Sequence, residues 1–295
     1  MAFPTTSIID AFKETPYRLS CTATPAPNDF MELGNHSEFL GIMTREEMLS
    51  MYFVHDGGET QKWRLKGHAQ SEFWKWISAW AVNIRKPSNI GFSDEGYDLP
   101  NLTFHQHIVD VENKDAGTLF AMSARTLQER IGARRDSVQD RINKAIEIVK
   151  ANPDGQWLIW CNLNSESDGI KKALKAVEVK GSDSIEHKSK SMLGFAHGEV
   201  KIMVSKPSIC GFGMNFQSCH QILFLGLSDS YEDFYQAIRR CWRFGQKSEV
   251  QAHIVIAKTE GEVLKNIQRK EKESEIMANE MVKHMSEFVD ITGAV

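Results

Sequence analysis

The chain has 295 residues, of which 41% are hydrophobic, which is enough for one large domain or two small domains with a proper core. The formal net charge of −4 at pH 7 argues against a strongly basic, non-specific nucleic-acid binder. The five cysteines form no C-x-x-C pair, which favours buried thiols in a reducing cytoplasm over disulfides or a metal site, and no apolar run approaches the roughly 20 residues that span a bilayer.

The first third of the chain is predicted to combine a short strand with a mainly helical region. Residues 17–22 predict a strand that would need a partner edge, and Pro25 ends it. Residues 28–90 predict mostly helices, with a break at Gly57-Gly58. Four apolar residues at helical spacing are predicted to enter the core together: Phe73, Ile77, Trp80 and Ile84.

Trp63 stands in a basic context, between Lys62 and Arg64 and close to Lys66. An aromatic ring beside positive charge can stack on nucleic-acid bases, so Trp63 is a candidate nucleic-acid wedge. Packing within the helical region is the alternative, because the neighbouring tryptophans lie near the predicted core stripe.

Strands and helices alternate from about residue 99 onwards. Repeated units of this kind predict a parallel sheet with helices on both faces, and ligands in such sheets bind at the carboxyl ends of the strands. The predicted strands are 157–161, 177–179, 201–205, 222–227 and 250–257, and the predicted helices are 126–150, 167–176, 184–197 and 260–287. In the last helix, Met277, Met281 and Met285 are predicted to form a packing stripe.

A glycine-rich segment follows the predicted strand 201–205. Gly211 and Gly213 allow the backbone to turn sharply or to approach a ligand closely, and Asn215 offers an amide for hydrogen bonding. A glycine loop alone is weak evidence for a site, but a second unusual segment lies about 25 residues further along the chain.

This second segment, residues 235–246, predicts an amphipathic helix. Gln236, Arg240 and Arg243 share one stripe, apolar residues fill the opposite arc, and Gly245 stands where a helix-ending glycine is expected. Guanidinium groups are always charged and bind phosphate oxygens bidentately. The stripe therefore predicts a site for a nucleoside triphosphate or a nucleic-acid backbone, with a solvated basic helix face as the alternative.

The two segments together resemble a known family. Gln236-Ala-x-x-Arg240-x-x-Arg243-x-Gly-Gln246 is similar to the last motif of superfamily 2 helicases in its Swi/Snf-type form, and residues 205–215 resemble the motif before it. Thr22-Ala-Thr-Pro25 resembles the motif that ends the first motor lobe, and the residues after Leu99-Pro100 resemble the entry strand of the second lobe. The sequence as a whole is similar to short helicase-like proteins of bacteriophages and prophages.

The resemblance implies an α/β fold, a RecA-like parallel sheet flanked by helices, with an N-terminal mainly helical insertion. It implies that Arg243 is an arginine finger at the γ-phosphate in the other lobe and that Arg240 contacts the phosphates or links to the nucleotide. It also implies that Gln236 supports that network or couples it to DNA. The resemblance also implies that Gly211, Gly213 and Asn215 bind ATP and border the nucleic-acid track. Lys206 and Ser208 would contact the nucleic acid. Thr22 and Thr24 would couple the nucleotide state to the geometry of the lobes. Pro207 and Ile209 replace smaller residues of the family pattern, which weakens the expected nucleic-acid contacts there.

Two parts of such a motor do not occur in the sequence. There is no phosphate loop G-x-x-x-x-G-K-[ST], and the only Asp-Glu pair, Asp94-Glu95, follows no apolar strand. We therefore expect the C-terminal half of a motor, inactive alone, whose ATP and Mg²⁺ are bound mainly by a separate phosphate-loop lobe. The expected segments are a first-lobe remnant at 1–27, a helical insertion at 28–98, the second lobe at 99–258 and a C-terminal helix at 259–295.

We expect DNA and the missing lobe as partners, in the cytoplasm of a bacterial or phage-infected cell, and no membrane. A non-catalytic DNA- or protein-binding module derived from a helicase lobe is the alternative to a split motor, and a decayed remnant is a third reading.

Overall fold

The computed structural model describes residues 5–55, 63–109, 135, 137–211 and 213–292. The chain forms two compact units, Gly96–Gln268 and the combination of Met1–Glu95 with Arg269–Val295. The division into four segments stays a prediction.

The second unit is built on a six-stranded parallel sheet with the order β3-β8-β7-β4-β6-β5. Its central strands are buried on both faces and therefore show continuous apolar runs, Trp-Leu-Ile-Trp-Cys in β4 and, after Gln221, Ile-Leu-Phe-Leu in β7. The strands are β3 (Leu102–Val109), β4 (Trp157–Cys161), β5 (Val177–Val179), β6 (Ile202–Ser205), β7 (Gln221–Leu225) and β8 (Val250–Ala257).

Helices cover both faces of this sheet. Side chains alternate between faces along each strand, so Leu158 and Trp160 join one apolar core while Ile159 joins the other, together with Ile142 and Ala145 from a covering helix. The predicted α/β fold with a parallel sheet flanked by helices is confirmed. The helices of this unit are α5 (Val138–Ala151), α6 (Asn164–Leu174), α7 (Ile185–Ala196), α8 (Pro207–Cys210), α9 (Tyr231–Ile238) and the start of α10 (Gly261–Thr292).

The first unit is mainly helical, as predicted for its insertion. Helix α3 begins at a capping box in which Thr44 Oγ1 accepts from the Glu47 amide and Glu47 accepts from the Thr44 amide. An antiparallel hairpin, which the sequence patterns did not predict, pairs β1 with β2. The elements are α1 (Thr5–Ala11), α2 (Leu33–Leu40), α3 (Arg45–Tyr52), β1 (Phe53–His55), β2 (Trp63–Leu65), α4 (Gln70–Ser78) and the part of α10 from Arg269 onwards.

The core of the first unit confirms part of the predicted stripes. Phe73 and Ile77 are fully buried, and the predicted methionine row of α10 is buried. Ile84 is wrong as a core residue: α4 ends at Ser78, before the stripe completes its next turn, and Ile84 is 53% exposed.

The predicted strand at 17–22 is also wrong. These residues have no regular structure, and Tyr17 and Leu19 are 91% and 82% exposed. A strand is stable only when a neighbouring strand satisfies its backbone groups, and none of the strands in the described ranges pairs with this segment. For the predicted helix 126–150, residues 126–134 and 136 lie outside the described residues. Helix α5 begins at Val138 and ends at Ala151, one residue past the predicted end.

A buried ionic network ties together the carboxyl ends of three strands of the second unit. The fully buried Arg141 of α5 donates to Glu166 (2.6 Å) and to the Leu225 carbonyl at the end of β7 (3.1 Å), and its Nε lies 3.5 Å from Glu260. Glu166 accepts the amides that follow β4, and Glu260 accepts the Ala257 amide at the end of β8. The network fixes the edge of the sheet from which the glycine-rich segment and α9 emerge.

Candidate functional site

The arginine segment begins as the predicted helix but does not continue as one. Ser230 caps α9 by accepting from the Asp233 amide (3.1 Å), and the helix ends at Ile238 rather than near residue 244. The Arg240 carbonyl instead accepts from the Phe216 amide (2.8 Å), which lies outside the segment. The chain then follows turns to Gly245, whose φ of +89° is the left-handed conformation that glycine tolerates best.

The side chain of Gln246 holds these turns in place. It is buried, and its amide donates to the carbonyls of Cys219 (3.0 Å) and Cys241 (3.2 Å). Its oxygen accepts from the amides of Lys247 and Ser248, both at 2.9 Å. Sequence reasoning gave this glutamine no role, although its place at the end of the motif was a usable signal.

Gln236, Arg240 and Arg243 converge despite this different backbone path. Arg240 Nη1 and Arg243 Nη1 both donate to the Met214 carbonyl, at 2.9 and 3.3 Å. Arg240 also donates to the Gln236 carbonyl and to Gln236 Oε1, both at 3.0 Å. The three predicted side chains therefore form one cluster with the glycine-rich segment, and the Met214 carbonyl is a member that the sequence did not indicate. We call Gln236, Arg240, Arg243 and the Met214 carbonyl the arginine cluster.

The arginine cluster has the electrostatics of an anion site. Burial, followed by the neighbouring charge of Arg243, lowers the pKa of Arg240, which is only 9% exposed. Over the described part of the chain, neither Arg240 nor Arg243 forms a salt bridge with a carboxylate. A guanidinium does not lose its proton in a protein, so the mutual repulsion is relieved when a phosphate-like anion binds.

Arg239 is adjacent in sequence but is engaged differently. Its guanidinium lies over the Trp242 ring (4.6 Å to the centroid) and the Tyr235 ring (5.2 Å), and its Nε donates to the Tyr235 hydroxyl (3.2 Å). These cation–π contacts hold it against aromatic rings rather than at the Met214 carbonyl. Arg239 is therefore a natural internal comparison for the two arginines of the cluster.

The glycines of the preceding segment serve different purposes. A Cβ on Gly211 would lie 2.2 Å from the Pro207 carbonyl oxygen, so only glycine fits its buried position. Gly213 has a φ of +74° and open space around it. Asn215 is exposed, and its Oδ1 accepts from the Gln217 amide (3.3 Å). The sharp turn of these residues is what presents the Met214 carbonyl to the arginines.

Lys206 lies at a second feature, a cavity of about 190 Å³ at the carboxyl ends of β4, β5 and β6. Ser208 is exposed on α8 and does not line this cavity. Lys180 at its rim is engaged by Asp168 (2.9 Å) and Glu178 (3.0 Å), whose carboxylates raise the pKa of its ammonium group. The lining residues are Cys161, Asn164, Ser167, Val179, Lys180, Gly181, Ser182, Ser205, Lys206 and Ile209.

The other predicted site residues lie in the first unit. The Thr24 amide donates to Thr22 Oγ1 (3.1 Å), with Thr24 buried and Thr22 exposed. Trp63 is half-buried, and its ring meets that of His55 edge to face at 4.7 Å. This contact favours the packing alternative for Trp63, and the coupling role of the threonines stays a prediction.

A known protein family matches part of the second unit. Residues 140–245, which include the arginine cluster, match the family described as Helicase conserved C-terminal domain. This match places the arginine cluster in a region of the second unit that is similar to helicase C-terminal domains.

One curated relative matches over a limited length. A putative ATP-dependent RNA helicase of Acanthamoeba polyphaga mimivirus is 27% identical over 119 residues, which are 39% of this chain and 22% of the relative. The chain thus spans about a fifth of that relative's length.

Two solved structures show partial similarity. The C-terminal part of the Fun30 ATPase domain is 17% identical with a TM-score of 0.40, covering 54% of this chain and 57% of that structure. A DEAD box protein from the hyperthermophile Methanococcus jannaschii is 18% identical with a TM-score of 0.40, covering 45% and 37%.

Among the described residues, the structure has neither a membrane-spanning helix nor a metal-ligand group. No helix there is both long and apolar enough to cross a membrane. No group of three or more His, Cys, Asp or Glu side chains within the described ranges is arranged to hold a metal ion.

Proposed function

We propose that this chain is the C-terminal half of an ATP-dependent DNA helicase or translocase of superfamily 2, of Swi/Snf type and from a phage or prophage. In this proposal it supplies arginines and part of the nucleic-acid track, in the cytoplasm, and a separate phosphate-loop lobe completes the site for ATP hydrolysis.

The observation that carries the proposal is the convergence of Arg240 and Arg243 on the Met214 carbonyl. A lone carbonyl cannot neutralise two guanidinium charges, so the cluster keeps a net positive charge. A polyphosphate is the ligand class that matches two adjacent guanidiniums, because each guanidinium presents a planar set of N–H donors that fits phosphate oxygens. The helicase C-terminal domain match over the same residues supports a nucleotide as the source of that polyphosphate.

In this proposal, each residue of the arginine cluster has its own role at the phosphates. Arg243, the less buried arginine, reaches the γ-phosphate and stabilises charge that develops as the phosphoryl group transfers. Arg240 contacts the phosphates from its buried position, and Gln236 orients Arg240 through the Oε1 and carbonyl contacts. Gly211, Gly213 and Asn215 shape the border of this cleft.

ATP and Mg²⁺ fit these residues only in part. The arginine cluster can hold phosphate oxygens, but the described residues contain no group of three or more His, Cys, Asp or Glu side chains arranged for a metal ion, so both ligands would be bound mainly by the phosphate-loop lobe. Bound there, Mg²⁺ would supply positive charge that offsets the charge of the phosphates. Thr22 and Thr24 would couple the nucleotide state to the placement of the lobes.

The proposed nucleic-acid track uses Lys206 and Ser208. Lys206 lines a polar cavity at the carboxyl ends of the strands, where ligands of parallel sheets bind. We propose DNA as the nucleic acid, and the name of the mimiviral relative makes RNA the comparison to include in every assay.

The test mixes the chain with a phosphate-loop first lobe of a Swi/Snf-type motor and measures phosphate release with DNA, with RNA and without nucleic acid. We expect nucleic-acid-stimulated turnover by the mixture and negligible turnover by the chain alone. Arg243→Ala should lower turnover by about 10³- to 10⁵-fold, the usual cost of losing an arginine finger. Arg239→Ala is the matched control, because its guanidinium is held by Tyr235 and Trp242.

The alternative, a non-catalytic DNA- or protein-binding module, rests on the cavity at Lys206, which does not depend on the arginine cluster. It predicts that no first lobe restores turnover and that Lys206→Ala still weakens DNA binding. Robust DNA-stimulated hydrolysis by the pure chain would contradict both readings.

A further inference from the structure

Two large aromatic rings lie exposed where the turn that carries Arg243 meets the segment before β3. Phe244 and Tyr97 are 62% and 57% exposed, and their ring centroids are 5.3 Å apart with an interplanar angle of 33°. Single exposed apolar residues are common, but two paired rings of this size form an apolar patch that calls for a ligand or partner.

The backbone fixes the position of this pair. Phe244 directly follows Arg243, and the turn that carries both is held by the buried side chain of Gln246. The Trp242 indole Nε1 donates to the Pro100 carbonyl at 2.7 Å, which ties the arginine turn to the segment that carries Tyr97. The turn that carries Arg243 and Phe244 is therefore fixed relative to the segment of Tyr97.

We infer that Tyr97 and Phe244 form a stacking platform for the base of the nucleotide whose phosphates meet Arg240 and Arg243. The inference rests on the proposed function and adds how the base is recognised. Aromatic rings stack on any nucleobase through its π-face, while the guanidiniums match only the phosphates. A pair of exposed rings at the turn that also carries Arg243, whose guanidinium forms no salt bridge within the described residues, fits a ligand with one flat aromatic end and one polyanionic end.

The platform contributes affinity without strong base selectivity. Stacking on an aromatic pair does not read the hydrogen-bonding edge of a base, so ATP and GTP should bind within a few-fold of each other. A base-free polyphosphate keeps the contacts with the arginines but lacks the stacking, so it should bind about tenfold more weakly than ATP.

The experiment titrates the full chain with ATP and with inorganic tripolyphosphate by calorimetry, extending into the millimolar range. We expect Phe244→Ser and Tyr97→Ser to bring the affinity for ATP down to that for tripolyphosphate while leaving tripolyphosphate binding unchanged. Phe244→Trp should keep the advantage of ATP. Phe92→Ser is the matched control, because Phe92 is an equally exposed ring, 64% accessible.

The outcomes separate this inference from the proposed function. Equal affinities for ATP and tripolyphosphate in the unmodified chain, or an ATP advantage that survives Phe244→Ser, would overturn the stacking platform. Absence of measurable binding of either ligand would overturn it as well. Arg243→Gln should weaken both ligands equally. If it weakens neither while the ring variants still remove the ATP advantage, the platform stands and the phosphate role of Arg243 fails.

Discussion

Replacing Arg141 by methionine tests the buried network that supports the site. Arg141 is completely buried, and its guanidinium faces Glu166 at 2.6 Å and Glu260 at 3.5 Å, which are 0% and 1% exposed. Arg141→Met would leave two carboxylates buried without their cation. Removing one partner of a buried ion pair costs about 3–5 kcal/mol of unfolding free energy, so we expect a loss in that range.

The assay is urea unfolding, with amide hydrogen exchange of β4 and β7 to assign the loss to the second unit. Lys144→Met is the matched control: Lys144 lies on the same helix in an exposed pair with Glu147, so its loss should cost at most about 0.5 kcal/mol. Adding Glu166→Gln to Arg141→Met should recover part of the stability. If Arg141→Met and Lys144→Met cost the same, or if the second substitution recovers nothing, the network does not support the sheet edge.

Three further predictions concern stability and the glycine-rich segment. Burial and two neighbouring histidines lower the pKa of His253 to about 4, so the unfolded chain takes up its proton at a higher pH, near 6.5. The unfolding free energy should therefore fall by about 1–2 kcal/mol between pH 6.5 and pH 4, allowing for the half-buried position, and His253→Asn should flatten that slope in pH-dependent urea titrations. Gly211→Ala should cost more than about 2 kcal/mol, because its Cβ meets the Pro207 carbonyl, whereas Gly213→Ala should cost about 1–2 kcal/mol from its positive φ alone. Equal melting temperatures for the two variants would contradict this ranking. Gln246→Leu should cost about 2–3 kcal/mol by leaving buried backbone groups unpaired, and unchanged hydrogen exchange in the arginine turn would contradict its role.

The sheet could be predicted from local pattern because burial on both faces leaves a simple signature. The continuous apolar runs of β4 and β7 and the full length of β8 agree with the predicted strands to within two residues at either end. Residues 17–22 alternate apolar and polar side chains, a pattern typical of a strand, but they form none, since pairing depends on a neighbouring edge and not on the segment itself.

The cluster could be predicted in its membership but not in its geometry. Gln236, Arg240 and Arg243 do converge, as predicted. The prediction placed all three on one continuous helix, however, and the helix ends at Ile238. The turn that follows depends on Gln246 and on the carbonyls of Cys219 and Cys241, contacts that no local periodicity encodes. The ring pair is hidden for the same reason: Tyr97 and Phe244 meet only after the sheet has formed.

The most direct test of the central claim is the ratio of two turnover numbers in the reconstituted mixture with a phosphate-loop lobe and DNA. The arginine cluster requires that Arg243→Ala abolish phosphate release while Arg239→Ala, one of the nearest guanidiniums in sequence, retains most of it. A mixture in which both variants turn over at the same rate would contradict the assignment of the Met214-bound arginines to the nucleotide.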